Sequence, residues 1–189
     1  VPEAEPRETS RRPERRDTPR LERLTCEGLT DPPAIGVAAP RLGWQLRSGR
    51  QGDAQRSYRI EVASDSLLLA AGKADLWDSG EVRSPRSVAV PYGGRPLGAR
   101  TQCWWRVTVR RRVVSPIARF GVGLTDPAAV AGRFIGLEGS GATAVLLRRR
   151  FDLPETGDAA LLHVNSLGYH EIWINGRKAG DACLAPALS

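Results

Sequence analysis

Residues Gln102–Val109 read QCWWRVTV, and this stretch decides the fold. Every second residue from Cys103 onwards is apolar and falls on one face of an extended chain. Trp104, Arg106 and Thr108 fall on the opposite face. Such alternation is typical of a strand with one buried face. The stretch therefore predicts a half-buried β-strand in a sheet that covers a core.

Three other stretches predict strands before it. Residues 57–64 (SYRIEVAS) alternate cleanly, and 41–46 (RLGWQL) and 87–92 (SVAVPY) carry shorter runs, the last with Val88 and Val90 on one face. Only 66–71 (SLLLAA) predicts a helical turn. Because turn residues separate these runs, we predict an all-β fold, a fibronectin-III-like or Ig-like antiparallel sandwich over residues 24–124.

Composition divides the rest of the 189-residue chain into three segments. Residues 1–23 are rich in proline and arginine and have too few apolar side chains to offset the entropy of ordering, so we predict a disordered tail or a linker from a removed signal. Residues 125–141 are rich in glycine and alanine and predict a linker. Residues 142–189 predict the start of a second β-domain, with strands at 144–151 and 160–166.

The second region ends in residues 167–181 (LGYHEIWINGRKAGD), which predict a β-hairpin. Asn175 and Gly176 both accept the positive φ that a type I′ turn requires, and they separate two short runs of strand-forming residues. Two strands alone are marginal in water. Since few residues follow, we expect the second domain to be incomplete.

The net charge of the chain is +7. Arginine carries almost all of the positive charge, because Lys73 and Lys178 are the only lysines. A basic chain is a candidate for binding nucleic acid or another polyanion. The arginines are spread along the sequence, however, and the runs at 110–112 and 148–150 contain no aromatic residues. We therefore expect no nucleic-acid partner, and an arginine-driven polyanion binder is the weakest of the function hypotheses.

The cysteines and the known cofactor motifs give little evidence of bound groups. Cys26, Cys103 and Cys183 stand far apart, and an odd number leaves either one disulfide with a free thiol or three reduced, buried thiols. No CxxC pattern, P-loop or GxGxxG sequence occurs, so we expect no cofactor and assign no metal ligand, with calcium left open. No apolar run of about 18 residues occurs, which predicts no membrane insertion.

Residues suited to catalysis are scarce. His163 and His170 fall in β stretches without an evident nucleophile beside them, which favours structural roles. The acidic residues lie in turns and at strand ends, where the sequence cannot pair two of them across a cleft. Asp78 in WDSG is typical of a turn in which the side chain binds its own backbone. We assign no catalytic residue.

Three aromatic residues are candidates for contact with a carbohydrate or with a neighbouring domain. Tyr169 and Trp173 share one face of the predicted hairpin. Ile172 and Ile174 share the other. If the isoleucines pack inward, the rings are exposed and could stack on a sugar; otherwise they belong to a core or an interdomain contact, which we favour. Trp104 raises the same question, with Arg106 or a neighbouring module as its cover.

Seven stretches together resemble the N-terminal region of bacterial α-L-rhamnosidases of glycoside hydrolase family 78. They are LTCEGL at 24–29, APRLGWQL at 39–46, QRSYRIEVAS at 55–64, LWDSGEVRSPRSVAVPYGG at 76–94, WWRVTV at 104–109, LLRRRFDL at 146–153 and LGYHEIWINGRKAGDACLAP at 167–186. Each motif is weak alone, but seven in the family's order are specific. The chain departs from the family at Cys103, where an aromatic residue is usual, and at 110–120 (RRRVVSPIARF), where the family has a different hairpin.

The resemblance implies a fibronectin-III-like first module and the start of a jelly-roll-like domain that aids substrate recognition. The family hydrolyses terminal α-L-rhamnosides with inversion, using carboxylic acids in an (α/α)₆ barrel further along the chain. We therefore expect a non-catalytic accessory region, truncated before the barrel and inactive alone. Its expected partners are a C-terminal catalytic domain of the same family and rhamnose-containing glycans, and its expected location is secreted or periplasmic. The alternative is a carbohydrate- or protein-binding module.

Overall fold

The computed structural model describes residues 18–126, 128, 132–139, 144–152 and 161–181. The chain divides into two units, Val1–Val130 and Ala131–Ser189. The first unit holds a two-sheet sandwich, and the described part of the second holds one short hairpin. The predicted all-β fold is confirmed, because the helix content of the described residues is the single α-helical turn α1, Ser66–Ala70.

Two antiparallel sheets form the sandwich. The first has the order β1–β2–β5, namely β1 Arg20–Cys26, β2 Arg41–Arg47 and β5 Val90–Pro91. The second contains β4 Trp77–Asp78, β3 Tyr58–Ala63, β6 Gln102–Val109, β7 Val113–Val114 and β8 Ala118–Gly121. β3 lies between β4 and β6, and both β7 and β8 pair with the other side of β6. Pairing of strands distant in sequence is typical of Ig-like sandwiches.

The core lies between the sheets and follows the predicted alternation. β3 and β6 pair over six rungs, from Tyr58 opposite Val109 to Ala63 opposite Trp104. Trp105 and the other inward residues of β6 are buried, as the sequence predicts. Trp44 of β2 contributes to the same core from the other sheet. Its ring meets that of Tyr58 edge to face, at 5.2 Å between centroids.

A buried glutamine ties three segments together at the edge of this core. Gln55 is 4 % exposed. Its Oε1 accepts a hydrogen bond of 2.8 Å from Trp44 Nε1, and its Nε2 donates one of 2.9 Å to the carbonyl oxygen of Arg86. A buried polar group without a partner costs about 1–3 kcal/mol. The glutamine therefore fixes the Trp44 ring relative to the loops on either side.

β1 begins at Arg20, inside the segment that the sequence predicts to be a disordered tail. Leu21 and Leu24 are both buried although they are three positions apart. A bulge between Glu22 and Thr25 explains this spacing, because it inserts an extra residue and breaks the alternation. Residues 1–17 of the predicted tail lie outside the described residues. The division into a tail, two domains and a linker stays a prediction.

The strand beside β6 is interrupted at Ser115 and Pro116. Proline has no N–H to donate to a ladder. Ser115 bridges the gap, because its N–H donates to the Val107 carbonyl oxygen at 2.9 Å and its Oγ accepts from the Val107 N–H at 3.0 Å. A hydroxyl oxygen thus replaces a backbone carbonyl. The unusual sequence RRRVVSPIARF therefore still completes the sheet.

After β1 the chain crosses to the edge of the second sheet. Ile35 bridges Val122 in parallel orientation. The Ile35 N–H donates to the Gly121 carbonyl oxygen at 2.8 Å, and the Gly121 N–H donates to the Pro32 carbonyl oxygen at 2.9 Å. The first and last segments of the unit are therefore paired directly, which covers the edge at β8.

Three of the predicted strands differ in the structure. Within 87–92 only Val90–Pro91 is a strand, and Val88 is exposed instead of sharing a buried face with Val90, because Ala89 has φ 50 and breaks the alternation. Residues 144–152 and 161–166 form no strand. No side chain is buried in the described part of the second unit, so neither run has a core face to hold it in a sheet.

Two of the three cysteines are buried and unbridged. Cys26 and Cys103 both belong to the core of the sandwich. Burial raises the pKa of each thiol to about 12, so both stay protonated and act as small apolar residues. The sequence left open either one disulfide with a free thiol or three reduced, buried thiols. Cys26 and Cys103 are reduced and buried, as the second alternative predicts. Cys183 lies outside the described residues.

We predict that Gly121→Ala destabilises the first sandwich by about 1–3 kcal/mol. A Cβ at this position would lie 2.0 Å from the carbonyl oxygen of Pro33, and a backbone atom cannot rotate away as a flexible side chain can. Urea unfolding followed by tryptophan fluorescence measures the change. Gly98→Ala is the matched control, because its new Cβ would have Thr101 Oγ1 as nearest neighbour at 3.7 Å. Equal unfolding midpoints for the two variants would contradict the close packing of residues 32–35 on β8.

Candidate functional site

The predicted turn of the hairpin is confirmed. Asn175 has φ 50 and Gly176 has φ 78, the positive values that a type I′ turn requires. The turn joins β9, Trp173–Ile174, to β10, Arg177–Lys178. The N–H of Ala179 extends the pairing with a further hydrogen bond of 2.8 Å. The hairpin therefore holds the side chains on each of its faces at fixed spacing.

Two exposed aromatic rings of the hairpin region lie beside charged groups. Tyr169 is 59 % exposed and Trp173 is 58 % exposed. Trp173 Nε1 donates a hydrogen bond of 3.4 Å to Glu171, and Lys178 forms an ion pair with the same carboxylate. We call Tyr169, Glu171, Trp173 and Lys178 the hairpin surface. Apolar rings next to a few polar groups are the usual means of orienting a small ligand.

The isoleucines of the hairpin do not form a buried face opposite these rings. Ile172 is half-buried, and Ile174 is about half exposed. Neither Tyr169 nor Trp173 is part of a core in the described residues, so both rings are accessible. Accessibility is the condition that contact with a sugar or another domain requires. The assignment of these two residues to such a contact stays a prediction.

Glu171 is ionised at neutral pH and organises its neighbours. The hydrogen bond from Lys178, the charge of Lys178 and the hydrogen bond from Trp173 together hold the pKa of the Glu171 carboxyl below its usual range. The carboxylate therefore keeps its two contacts down to acidic pH. Its oxygens orient the edge of the Trp173 ring, which leaves the ring face for stacking.

A contact between Ser166 and His170 is one that the sequence analysis missed. Ser166 Oγ lies 2.6 Å from His170 Nδ1 and donates a hydrogen bond of 2.6 Å to the Gly168 carbonyl oxygen. The Ser166 hydroxyl thus contacts both the imidazole ring and a backbone carbonyl, and Nδ1–H is the donor to Oγ when the hydroxyl proton is on the Gly168 side. The pair therefore closes a loop around Gly168. A serine four residues before a histidine, with a glycine between them, was the available signal.

Trp104 belongs to the first unit, so it and the hairpin surface are two separate candidates. It is half-buried on the outer face of the second sheet, where Ala63 and Arg119 are its neighbours across the strands. Arg106 follows on the same face and makes a two-pronged ion pair with Glu61, with N–O distances of 2.9 and 3.0 Å. Its guanidinium group is therefore committed to a carboxylate. A ligand or domain contact at Trp104 stays a prediction.

The described carboxylates of the second sheet are each held by a local partner. Asp75 accepts hydrogen bonds from the N–H and Oγ of Ser64 at 2.9 and 2.7 Å. Asp78 accepts from Arg59 and, at 2.9 Å, from the Gly80 N–H, so its predicted role in a turn is confirmed. These hydrogen bonds hold the pKa of both carboxyl groups below the usual range. A glycosidase acid needs the opposite, a raised pKa.

The described residues offer no evident metal site or membrane span. Among them, no group of three His, Cys, Asp or Glu side chains is arranged to hold an ion. No helix within the described ranges is long and apolar enough to cross a membrane.

Two family models match the sequence. Residues 21–126 match the model described as Rha78A-like, N-terminal immunoglobulin domain. Residues 156–189 match the model described as alpha-L-rhamnosidase N-terminal domain. The first match coincides with the sandwich from β1 to the segment that follows β8.

Similar curated proteins are α-L-rhamnosidases. One from Formosa agariphila is 28 % identical in an alignment of 198 positions that covers 89 % of the chain and 21 % of the relative. One from Streptomyces avermitilis is 41 % identical over 85 residues, which cover 45 % of the chain and 8 % of the relative. The chain thus spans about a fifth of the length of the relative from Formosa agariphila.

Two solved structures are similar in fold and in sequence. The α-L-rhamnosidase of Streptomyces avermitilis, solved in complex with L-rhamnose, has a TM-score of 0.54 and 33 % identity over 60 % of the chain and 11 % of the relative. The α-L-rhamnosidase from Dictyoglumus thermophilum has a TM-score of 0.53 and 26 % identity over 58 % of the chain and 13 % of the relative.

We predict that acidification releases the Trp173 ring from Glu171. The pKa of Glu171 is lowered in the folded hairpin, so its stabilising contacts are present above the ordinary carboxyl value of about 4.3 and are lost as the pH falls through the lower, folded value. The measurement is tryptophan fluorescence between neutral pH and a pH of about 2. The signal of Trp173 is obtained by subtracting the fluorescence of Trp173→Phe from that of the parent chain.

Two variants complete this titration. Glu171→Gln should abolish the acidic transition, because the amide has no carboxyl proton to gain. Glu138→Gln, a matched change at an exposed position of the same unit, should leave it in place. A transition that survives in Glu171→Gln would show that another group controls the ring.

Proposed function

Since the chain belongs to the family of Rha78A-like N-terminal immunoglobulin domains, we propose that it is the accessory, non-catalytic region of an α-L-rhamnosidase-like glycoside hydrolase. The observation that carries this proposal is the agreement between the family match at 21–126 and the sandwich. The relatives from Formosa agariphila and Streptomyces avermitilis are α-L-rhamnosidases, and the chain spans about a fifth of the length of the first. We assign hydrolysis of terminal α-L-rhamnosides to the remaining length of such enzymes, whose catalytic domain is the proposed partner.

Three of the described carboxylates support a non-catalytic role. Inverting glycosidases place two carboxyl groups about 6.5–9.5 Å apart, with room for the substrate and a water molecule between them. In the described residues, Asp78 and Glu81 are instead paired with Arg59 and Arg111, and Glu171 is paired with Lys178. A carboxylate held by a cation is a poor general acid, because its proton affinity is lowered. None of these three groups is set up for protonating a glycosidic oxygen.

A second candidate function is sugar contact at the hairpin surface, which the exposed rings of Tyr169 and Trp173 favour. The flat apolar face of a tryptophan can stack on a sugar ring, and the charges of Glu171 and Lys178 can bind its hydroxyl groups. The alternative occupant of the same rings is a neighbouring domain. We further propose a secreted or periplasmic location, where polysaccharide substrates are met.

We expect the purified chain to release no sugar from an aryl α-L-rhamnoside. The assay compares the rate of aryl alcohol release with a protein-free blank, after circular dichroism has shown a cooperative melt. Release that rises in proportion to protein concentration, and that survives repurification, would contradict the non-catalytic assignment.

We expect rhamnosyl oligosaccharides to bind at Trp173 if the second function holds. Calorimetric titration with and without calcium, together with tryptophan fluorescence, should show binding by the parent chain and about a tenfold loss in Trp173→Ala, because truncating an aromatic residue that anchors a ligand commonly costs more than about 1 kcal/mol. Phe134→Ala, which removes an exposed ring of the same unit outside the hairpin surface, is the matched control and should bind as the parent does. Equal losses in both variants, or no heat and no fluorescence change in the parent, would reject the hairpin surface as a sugar site.

A further inference from the structure

Six arginines that are dispersed in the sequence lie together at one end of the first sandwich, which we call the basic end. They are Arg50, Arg56, Arg83, Arg110, Arg111 and Arg112. Two carboxylates, Asp53 and Glu81, lie among them. Six positive and two negative charges leave +4 at this end, which is more than half of the net charge of +7 for the whole chain.

Strand order brings these arginines together. Tyr58 opens β3 and pairs with Val109 at the close of β6, so the residues before 58 and after 109 leave the sheet at the same end. Tyr58 also bridges Val82 in antiparallel orientation, and Arg83 therefore continues towards that end. The β2–β3 loop and the β6–β7 turn supply the other five arginines.

The two carboxylates orient two of the arginines. Asp53 is paired with Arg110, and Glu81 accepts hydrogen bonds of 2.6–3.1 Å from Arg111. These hydrogen bonds hold the pKa of both carboxyl groups below the usual range, so both stay ionised. Each carboxylate cancels one charge and fixes one guanidinium group in place.

The other four arginines are exposed and keep their charge. They are Arg50, Arg56, Arg83 and Arg112, and within the described ranges no carboxylate forms a salt bridge with any of them. A guanidinium group offers five N–H donors in a plane that matches a carboxylate, sulfate or phosphate group. Four such groups on one end of a small domain create a field that attracts anions.

A cleft and an unusual turn lie at the same end. The cleft has a volume of about 420 Å³ and is lined by Gly52, Asp53, Ala54, Arg56, Ser57 and Arg110. The turn after β6 holds Arg110 at φ 54 and Arg111 at φ 59, in the left-handed region that arginine rarely adopts. Strained backbone of this kind often marks a binding site. Here it presents three consecutive arginines at the tip of a hairpin.

We infer that the basic end is an anion-binding site, which holds the sulfate or carboxylate groups of an acidic polysaccharide. This inference rests on the proposed function, because membership in a rhamnosidase family is the reason for choosing a glycan as the polyanion. The basic end recruits the chain to acidic, rhamnose-containing glycans, while hydrolysis belongs to the rest of the enzyme.

Nucleic acid fits the basic end less well. Proteins that bind single strands place exposed aromatic rings among their basic residues so that bases can stack. Among the described residues of the basic end, Tyr58 is the nearby ring, and it is buried in the core. An acidic glycan carries its negative charges as sulfate or carboxylate groups along a flexible chain, and arginine forks can bind such groups without an aromatic ring.

The test is calorimetric titration of the whole chain with heparin, which carries sulfate, and with polygalacturonate, which carries carboxylate. The parent chain should bind at least one of them, with an affinity that falls steeply between about 50 and 200 mM salt. The triple variant Arg56→Gln, Arg83→Gln, Arg112→Gln should bind about tenfold more weakly and should lower the slope of log K against log salt by about 2. The stronger ligand identifies the anionic group.

The triple variant Arg148→Gln, Arg149→Gln, Arg150→Gln is the matched control, since it removes the same charge from exposed positions of the second unit. It should bind as the parent does, and all three proteins should have the same melting temperature. Equal weakening in both variants, no binding by the parent, or tighter binding of duplex DNA than of either glycan would overturn the inference. The aryl rhamnoside assay tests the proposed function separately, because its result does not depend on these arginines.

Discussion

The pairing of β3 with β6 is the constraint on which the first unit depends. Its register sets Val62 opposite Trp105 on the core side and Glu61 opposite Arg106 on the outer side. A slip by one residue would exchange the two faces, so that Arg106 would enter the core and Trp105 would face water. Loss of a buried tryptophan side chain alone costs about 3–5 kcal/mol. The apolar alternation of both strands therefore leaves one register available.

The same register organises the charges on the outer face. Glu61 is 6 % exposed although it lies on the side of the sheet away from the core. Arg106 compensates its charge through two hydrogen bonds, and Asp78 on β4 meets Arg59 beside them. Removing one partner of a buried pair leaves an uncompensated charge, which costs about 3–5 kcal/mol. The ion pair thus opposes the same slip that the core opposes, from the other face of the sheet.

Local patterns predicted those parts of the fold whose two faces differ in polarity. β2, β3 and β6 follow from alternation, and the hairpin turn follows from Asn175 and Gly176. β1 was not predicted, because a bulge breaks its alternation of apolar and polar residues. β7 and β8 were not predicted, because Ser115 completes their ladder through its side chain. A side-chain hydroxyl that takes the place of a backbone carbonyl leaves no alternating pattern in the sequence from which a strand could be predicted.

The candidate sites were harder to predict for a different reason. The hairpin surface needs only neighbouring residues, so its members could be named from the sequence, although the accessibility of their rings depends on packing. The basic end needs three segments that meet only after β3 has paired with β6 and Val82. The positions of the arginines in the sequence do not by themselves show which of them lie close together in the fold.

Two turns of the structure differ in how well their residues suit a positive φ. At Asn175 and Gly176 the positive φ falls on residues that adopt it readily. At Arg110 and Arg111 it falls on residues for which the left-handed region costs about 1–2 kcal/mol each. The exposed ion pair of Arg111 with Glu81 offsets little of such a cost, whereas the part-buried pair of Arg110 with Asp53 offsets more of it. Arg23 and Arg100 also adopt positive φ, so backbone strain by itself does not distinguish this turn. The turn differs from those positions because it presents three consecutive arginines beside the other arginines of the basic end, and this local concentration of charge is what favours the binding of an anion.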